Sequence, residues 1–402
     1  MERLRPVWPQ EFNRVIFVDP RLPHMGGRST YMETISEALS TAGVAVTHVS
    51  LWPGTSPAKF PTVVVFRRER LHAGPLLRGN GNPMKRLWAL PFVAFKRMDR
   101  LWALRRFRRF ISGLGSDTIV VFTDVKSRMV LKESGFTRKE SGPVFIGQHH
   151  TSFDALKYET WLCEALPENF ADMDAITALT PQDAAQLEQL TGVPCYHLRN
   201  PLPGGIIPGT SHGPIAVALV RFTWEKQIDV MIRSFVAATA SPDLGHWKLL
   251  IYGEGDLYEQ METYIRELGV GGRVMLMGRT DDAAAALRPA SLNLLTSRFE
   301  GFGLTILEAA AAGVPSVVFD CSPGVRSLVR PDTGYLVPEN DEEAYAEALR
   351  EAMRDNSERN RRGVLASRMS AEYAPERVVD DFGKIAVAAA GDHPRSRRTE
   401  QP

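Results

Sequence analysis

A two-domain α/β chain, each half a doubly wound parallel sheet, is predicted by three features. Short β-branched runs alternate with amphipathic helical stretches, the alternation breaks near the middle, and it then resumes. The chain has 402 residues, too many for one ordinary core. In the first half "RVIFVDP" (14–20), "VAVTHVSLW" (44–52), "TVVVFRR" (62–68), "DTIVVFTDV" (117–125), "PVFIGQHH" (143–150) and "AITALT" (175–180) read as strands. "STYMETISEALSTAG" (29–43) reads as a helix stopped by Gly43. The break is "NPLPGGIIPGTSHGP" (200–214), with four prolines and four glycines, too many for a regular element. Afterwards "IAVALVRF", "KLLIYGEG", "RVMLMG", "SLNLLTS", "PSVVFD" and "GYLVP" are strands, and "QIDVMIRSFVAATA", "DLYEQMETYIREL" and "DEEAYAEALREAMRD" are amphipathic helices. The expected layout is a first domain over 1–203, a linker over 204–213 and a second domain over 214–378. A helix over 379–391 is expected to pack back on the first domain, followed by a polar tail over 392–402. Ligands are expected at the carboxyl ends of strands and between the domains.

Composition narrows the class. With 44% hydrophobic and 24% charged residues and a net charge of +1, the chain reads as globular, and as a whole it has no charge excess to attract nucleic acid. Cys163, Cys195 and Cys321 are odd in number and widely spaced, which argues against a disulfide framework or zinc site and for a reducing compartment. No apolar run is long enough for a signal peptide or a membrane span, so a cytoplasmic location is expected.

Three stretches carry chemistry. "LPHMGGRSTYMETI" puts Gly26 and Gly27 between the first strand and its helix, where a backbone without side chains and free helix N–H groups can meet an anion. The spacing is not G-x-G-x-x-G, and a plain strand-to-helix turn is the alternative. "VALVRFTWEKQIDVMI" sets Arg221 and Lys226 at the corresponding turn of the second half, where a fork and a point charge suit a diphosphate. "SRFEGFGLTILEAAAAGVPSVVFD" (297–320) places Gly301 and Gly303 around the entry of a helix from Leu304 to about Ala312. Within that helix Glu308 sits in an almost wholly apolar run. A buried carboxylate without a partner costs several kcal/mol, so a hydroxyl-rich ligand such as a ribose is the better explanation, against a solvent-facing helix position. Glu300 then lies nearer the other end of the same ligand.

These residues resemble the retaining GT-B glycosyltransferases of the GT4 family. The likeness spans most of the chain and is strongest over 215–350: the "GG" loop, the R-x4-K of Arg221 and Lys226, "YGEG" at 252–255 with Gly253 and Gly255, the E-x7-E of Glu300 and Glu308, and "TGYLVPENDEEAYAEAL". The resemblance implies a GT-B fold of two Rossmann-like domains around a cleft. It implies that Glu308 binds the ribose of a nucleotide-sugar, while Glu300 with Gly301, Phe302 and Gly303 holds the transferred sugar. Arg221 and Lys226, aided by N–H groups near Leu304 and Thr305, would neutralise the diphosphate leaving group. In resembling enzymes a histidine at the end of a first-domain strand contacts the reacting sugar, and in "GQHHTSFDALK" His150 is the better match, with His149 turned away. Retention of anomeric configuration is likewise an implication of the resemblance.

Fixed cations and amides aimed at the departing diphosphate supply the charge stabilisation. No D-x-D stands in a metal-binding context, "TDDA" (280–283) reading as a helix cap, so neither metal nor cofactor is expected. The donor expected is a nucleotide-diphosphate sugar, with UDP-sugars first. The alternatives are transfer to a small soluble metabolite, an epimerase or phosphorylase, and a non-catalytic scaffold at the membrane.

One segment departs from the family pattern. Residues 67–109 carry thirteen Lys or Arg against Glu69 and Asp99, with aromatic residues interleaved. Arg105, Arg106, Arg108 and Arg109, with Trp88 and Trp102, suit a polyol-phosphate or other anionic glycopolymer, or the anionic inner face of a membrane. A helical excursion with its rings in the core is the plainer reading. Nucleic acid is not expected, for want of any recognition motif.

Overall fold

The computed structural model describes residues 6–23, 26–55, 57–66, 83–206 and 213–391, and the side chains of 83–97 are not among what it describes. The first half is a seven-stranded, all-parallel sheet in the order β3-β2-β1-β4-β5-β6-β7. Its strands are β1 (Arg14–Leu22), β2 (Ala45–Pro53), β3 (Thr62–Val64), β4 (Thr118–Phe122), β5 (Val144–His149), β6 (Ala175–Ala178) and β7 (Cys195–His197). Strand β4 is buried along its whole length, as a parallel strand covered on both faces must be. Helices α1 (Gly27–Thr41), α2 (Pro83–Ser112), α3 (Val125–Glu133), α4 (Trp161–Phe170) and α5 (Pro181–Thr191) connect the strands. The sequence pattern did not single out β7, a three-residue strand too short to show a period.

The second half repeats the plan with six parallel strands in the order β10-β9-β8-β11-β12-β13. These are β8 (Ile215–Leu219), β9 (Lys248–Tyr252), β10 (Val274–Gly278), β11 (Leu292–Leu295), β12 (Ser316–Phe319) and β13 (Gly334–Val337). Its helices are α6 (Ile228–Ala238), α7 (Tyr258–Glu267), α8 (Ala283–Leu287), α9 (Leu304–Ala311), α10 (Pro323–Leu328), α11 (Glu342–Arg354) and α12 (Asn356–Ser370). Asp282 caps α8, its carboxylate accepting from the Ala285 amide at 2.8 Å. Both halves reverse strand order beside their first strand, the place where open α/β sheets leave a crevice.

The chain then returns. Helix α13 (Pro375–Gly391) buries Val378, Val379, Phe382, Ile385, Ala386 and Ala389 in one cluster with Phe12, Val15, Phe17, Tyr31 and Ile35 of the first half. It starts earlier than the expected 379, because proline suits the first turn of a helix, where its missing N–H costs nothing. Of the expected linker, 207–212 lie outside the described residues, as does the tail 392–402.

Because Phe382 is fully buried against residues nearly 350 positions away in sequence, its loss leaves a cavity in the first half's core. Phe382→Ala should cost roughly 3–5 kcal/mol in urea unfolding. A loss under about 1 kcal/mol would show that α13 is not part of that core.

Candidate active site

A cleft of about 590 Å³ separates the two sheets, lined from one side by Gly26, Gly27, Arg28, His150 and Thr151 and from the other by the second half. On that second wall it brings together Arg221, Lys226, Gly253, Glu300, Gly301, Phe302, Gly303, Leu304, Thr305 and Glu308. These residues come from the carboxyl ends of β8, β9 and β11 and the start of α9, which explains how positions 87 apart in sequence meet.

Gly303 caps α9 in the left-handed region, at φ 88° and ψ 58°, a conformation costly for any residue with a Cβ. The first helical bonds run from the Ile306 and Leu307 amides back to Gly303, so the amides of Leu304 and Thr305 have no intrahelical partner. Those two residues line the cleft, and their amides can meet an anion there. One turn on, Glu308 is 8% exposed, and its carboxylate has no hydrogen-bond or ion partner among the described residues. Burial pushes its carboxyl up to about 7.

Glu300 differs. Its carboxylate accepts from Lys226 Nζ at 2.5 Å and from Ser297 Oγ at 2.8 Å. Lys226 is therefore already neutralised. Arg221 is 60% exposed and weakly held, 3.3 Å from Glu225, whose carboxylate also accepts from Thr223. Of the two cations, Arg221 is the freer to approach a ligand.

Across the cleft, His150 Nε2 lies 3.1 Å from Gln148 Oε1, and Gln148 donates its amide to the Tyr31 hydroxyl at 2.7 Å. The Tyr31 ring packs 4.7 Å from the imidazole. Burial, then the nearby Arg28 charge, pushes His150 down to about 3, so it stays neutral and can act only as a hydrogen-bonding group near neutral pH. His149 is buried, bonded to Thr151, and does not face the cleft.

The two walls touch at Gly301. A Cβ there would stand 2.4 Å from the His150 carbonyl oxygen and 2.9 Å from Thr151 Cα, so only glycine permits this approach. Gly253 and Glu254 line the cleft, and Gly255 stands just behind them. At φ 150° it packs against the Phe222 backbone, where a Cβ would come within 2.6 Å of a carbonyl oxygen.

Among the lining residues that the sequence did not single out, Asn200 and Arg28 stand out. Asn200 is buried with its Oδ1 unpaired. Its signal was its place just past a strand, hidden because β7 is so short. Arg28 is clamped by Asp19 and Asp124, both at 2.8 Å, and directly follows the glycine pair.

The basic segment lies apart from the cleft. Residues 67–82 and the Trp88 side chain are outside the described residues. On α2, Ala103, Leu104, Phe107 and Ile111 pack into the first half's core. Arg106 is exposed and donates to the Val65 carbonyl at 2.9 Å, which ties the helix to the chain just past the edge strand. Arg108 is half-buried, while Arg105, Arg109 and Trp102 are exposed, with Met98 and Leu101 on the same face. Among the described residues no helix is long and apolar enough to cross a membrane.

The model of the family described as "Glycosyl transferases group 1" matches residues 210–368. The matched stretch is the second half of the chain, and it contains Arg221, Lys226, Glu300 and Glu308. An exopolysaccharide phosphotransferase of Streptomyces coelicolor is 33% identical over 231 residues, which are 56% of this chain and 24% of that protein. A poly(glycerol-phosphate) alpha-glucosyltransferase of Bacillus subtilis is 25% identical over 61% of this chain and 38% of its own length. The chain thus spans between a quarter and two-fifths of these relatives, whose names describe much longer proteins. Among solved structures, TarM of S. aureus, crystallised with fondaparinux, alpha-GlcNAc-glycerol and UDP, superimposes with a TM-score of 0.73. That match covers 92% of this chain and 99% of the other at 14% identity, which shows the GT-B fold.

Measured without added ligand, stability should reveal Glu308 through pH. Its raised pKa means that the folded chain holds a proton which the unfolded chain has lost, so stability falls as pH rises from the ordinary glutamate range to about 7. Above that the penalty is complete, on the order of 3 kcal/mol. Glu308→Gln should raise Tm at pH 8 and flatten this slope; an unchanged or lower Tm would mean that the carboxylate has a partner.

Proposed function

We propose that this chain transfers a hexosyl or N-acetylhexosaminyl group from a nucleotide-diphosphate sugar, UDP-sugars first, to a hydroxyl of an anionic cell-envelope glycopolymer or lipid. The observation that carries the reading is Glu308, a buried carboxylate with no partner among the described residues, facing the same cleft as Arg221 and the free amides of α9. Two vicinal hydroxyls of a ribose would supply the missing donors, and the diphosphate would then reach the start of the helix.

The chain's own groups divide the chemistry. Arg221 and the Leu304 and Thr305 amides meet the diphosphate, whose negative charge grows as the anomeric bond breaks. Lys226 joins them by exchanging Glu300 for a phosphate oxygen. Glu300 is then released to hold hydroxyls of the sugar, with the backbone of Gly301, Phe302 and Gly303 behind it. Neutral His150, fixed by Gln148 and Tyr31, and Asn200 border the sugar from the other wall. Among the described residues no Asp or Glu of the first wall lines the cleft, which fits attack by the acceptor on the leaving-group face and retention of configuration.

The poly(glycerol-phosphate) relative supports a polyol-phosphate acceptor. The exposed Arg105, Arg109 and Trp102 of α2 would hold such a chain, or the anionic membrane surface beside which it is made, at the cytoplasmic face.

Thermal shift with UDP-, GDP- and ADP-sugars tests the donor: the matched one should raise Tm well beyond the others. Arg221→Ala should weaken donor binding and turnover roughly ten- to a hundredfold while leaving the fold intact. Glu308→Gln should weaken free UDP, and wild-type UDP affinity should rise with pH through about 7 as the carboxylate ionises. Glu300→Gln should bind UDP at least as tightly as wild type, since it frees Lys226, yet lose transfer. Equal loss of UDP affinity in both glutamate variants would overturn this division of labour.

Salt separates acceptor from donor, because screening at 1 M shortens the Debye length to about 3 Å. Acceptor affinity should fall steeply with salt while donor affinity falls less, and Gln at Arg105 and Arg109 should flatten the acceptor's slope. An uncharged soluble acceptor used equally well by that variant would point to a small-molecule enzyme instead.

A further inference from the structure

A second cavity, of about 820 Å³, lies between the segment 224–233 and helix α7. It adjoins the rim of the cleft: Trp224 and Gln227 face this groove, while Glu225 and Lys226 between them line the cleft. Trp224 is 55% exposed and Tyr158, across the cleft mouth, 49% exposed. Tyr158 stacks on Phe299 at 5.1 Å and 21°, and Trp224 meets both rings edge-on at 5.8 and 5.7 Å. Phe299 itself lines the cleft, so an aromatic path joins cleft and groove.

The groove's polar groups define what suits it. Among the described lining residues, Asp229, Glu259 and Glu267 stand against one cation, Arg233, and that guanidinium is held by Asp229 at 2.9 Å and Glu342 at 2.7 Å. An anionic chain would meet net repulsion here. Uncharged pyranose rings fit instead: their C–H faces stack on an indole, and their hydroxyls donate to carboxylates and exchange hydrogen bonds with Gln260 and Thr263.

We propose that this groove is a second saccharide site, which holds an uncharged oligosaccharide stretch of the acceptor or product as it passes over Trp224 to the cleft. Its place in catalysis rests on the glycosyl-transfer reading above, and its binding chemistry does not. The phosphates of an anionic glycopolymer would be met on α2, and its sugar residues in the groove.

Binding can be read without turnover. The full chain carries seven tryptophans, so its ¹H–¹⁵N spectrum holds seven indole signals, and Trp224→Phe identifies one. Maltotriose, cellotriose and chitotriose are titrated separately, with and without saturating UDP. At least one should shift the Trp224 signal saturably, with a Kd on the order of 1 mM, whether or not UDP is present. Glu259→Ala with Gln260→Ala should weaken that response roughly tenfold while the other indole signals stay in place, which shows an intact fold. No shift from any trisaccharide up to roughly 50 mM overturns the site. So does a shift abolished by UDP, which would place the sugar in the cleft, or an equal response to polyphosphate. If transfer itself is never detected, a saturable, UDP-independent shift still upholds the groove; intact transfer without that shift defeats the groove alone.

Discussion

An ionisable group buried in an apolar helix without a partner is unstable in isolation, and Glu308 imposes that constraint on the cleft. The helix that carries it is otherwise built for packing, with Ile306, Leu307, Ala309 and Ala310 buried around it. A hydrophobic side chain at 308 would serve the core better, since burial alone raises the carboxyl to about 7. The strain is local and sits where the helix begins, beside free amides and opposite Arg221. Stability is given up at a place where a hydroxyl-rich anion can restore it.

The rest of the structure brings the other wall into register with that helix. Gly301 lets the loop before α9 touch the backbone of His150 and Thr151, so the two domains meet without an intervening side chain. Behind His150 stand Gln148 and Tyr31, and Tyr31 belongs to the same buried cluster as α13. The last helix of the chain thus braces the wall that faces the second domain. Lys226 and Glu300 form a pair within the other wall, each satisfying the other until a ligand separates them. Among the cleft's own side chains the cations are paired: Arg28, Arg221 and Lys226 all face carboxylates.

Much of this was legible from local pattern. Parallel strands buried on both faces must be β-branched and apolar, and connecting helices must be amphipathic, so the two sheets were readable. Glu300 and Glu308 stood out because charge is costly in an apolar run. Gly255 packs against the Phe222 backbone, and a glycine needed for backbone packing looks the same in sequence as one needed for a ligand. The backbone partner of Arg106, the Val65 carbonyl, is 41 positions away and so left no trace in the local pattern. Asn200 escaped because three residues of strand carry no period.

The sequence by itself determined the two-sheet architecture, the entry of α9 and the candidate donor-binding residues, since each depends on composition and spacing within one or two turns of chain. Tertiary structure alone decided which of those residues face each other. The Lys226–Glu300 pair spans 74 positions, Gly301 meets a carbonyl of the other domain, and the Tyr158, Phe299 and Trp224 rings converge from three separate segments. Strand order and the packing of one domain on the other set those contacts, and a period read along the chain carries no information about which distant segment it will meet.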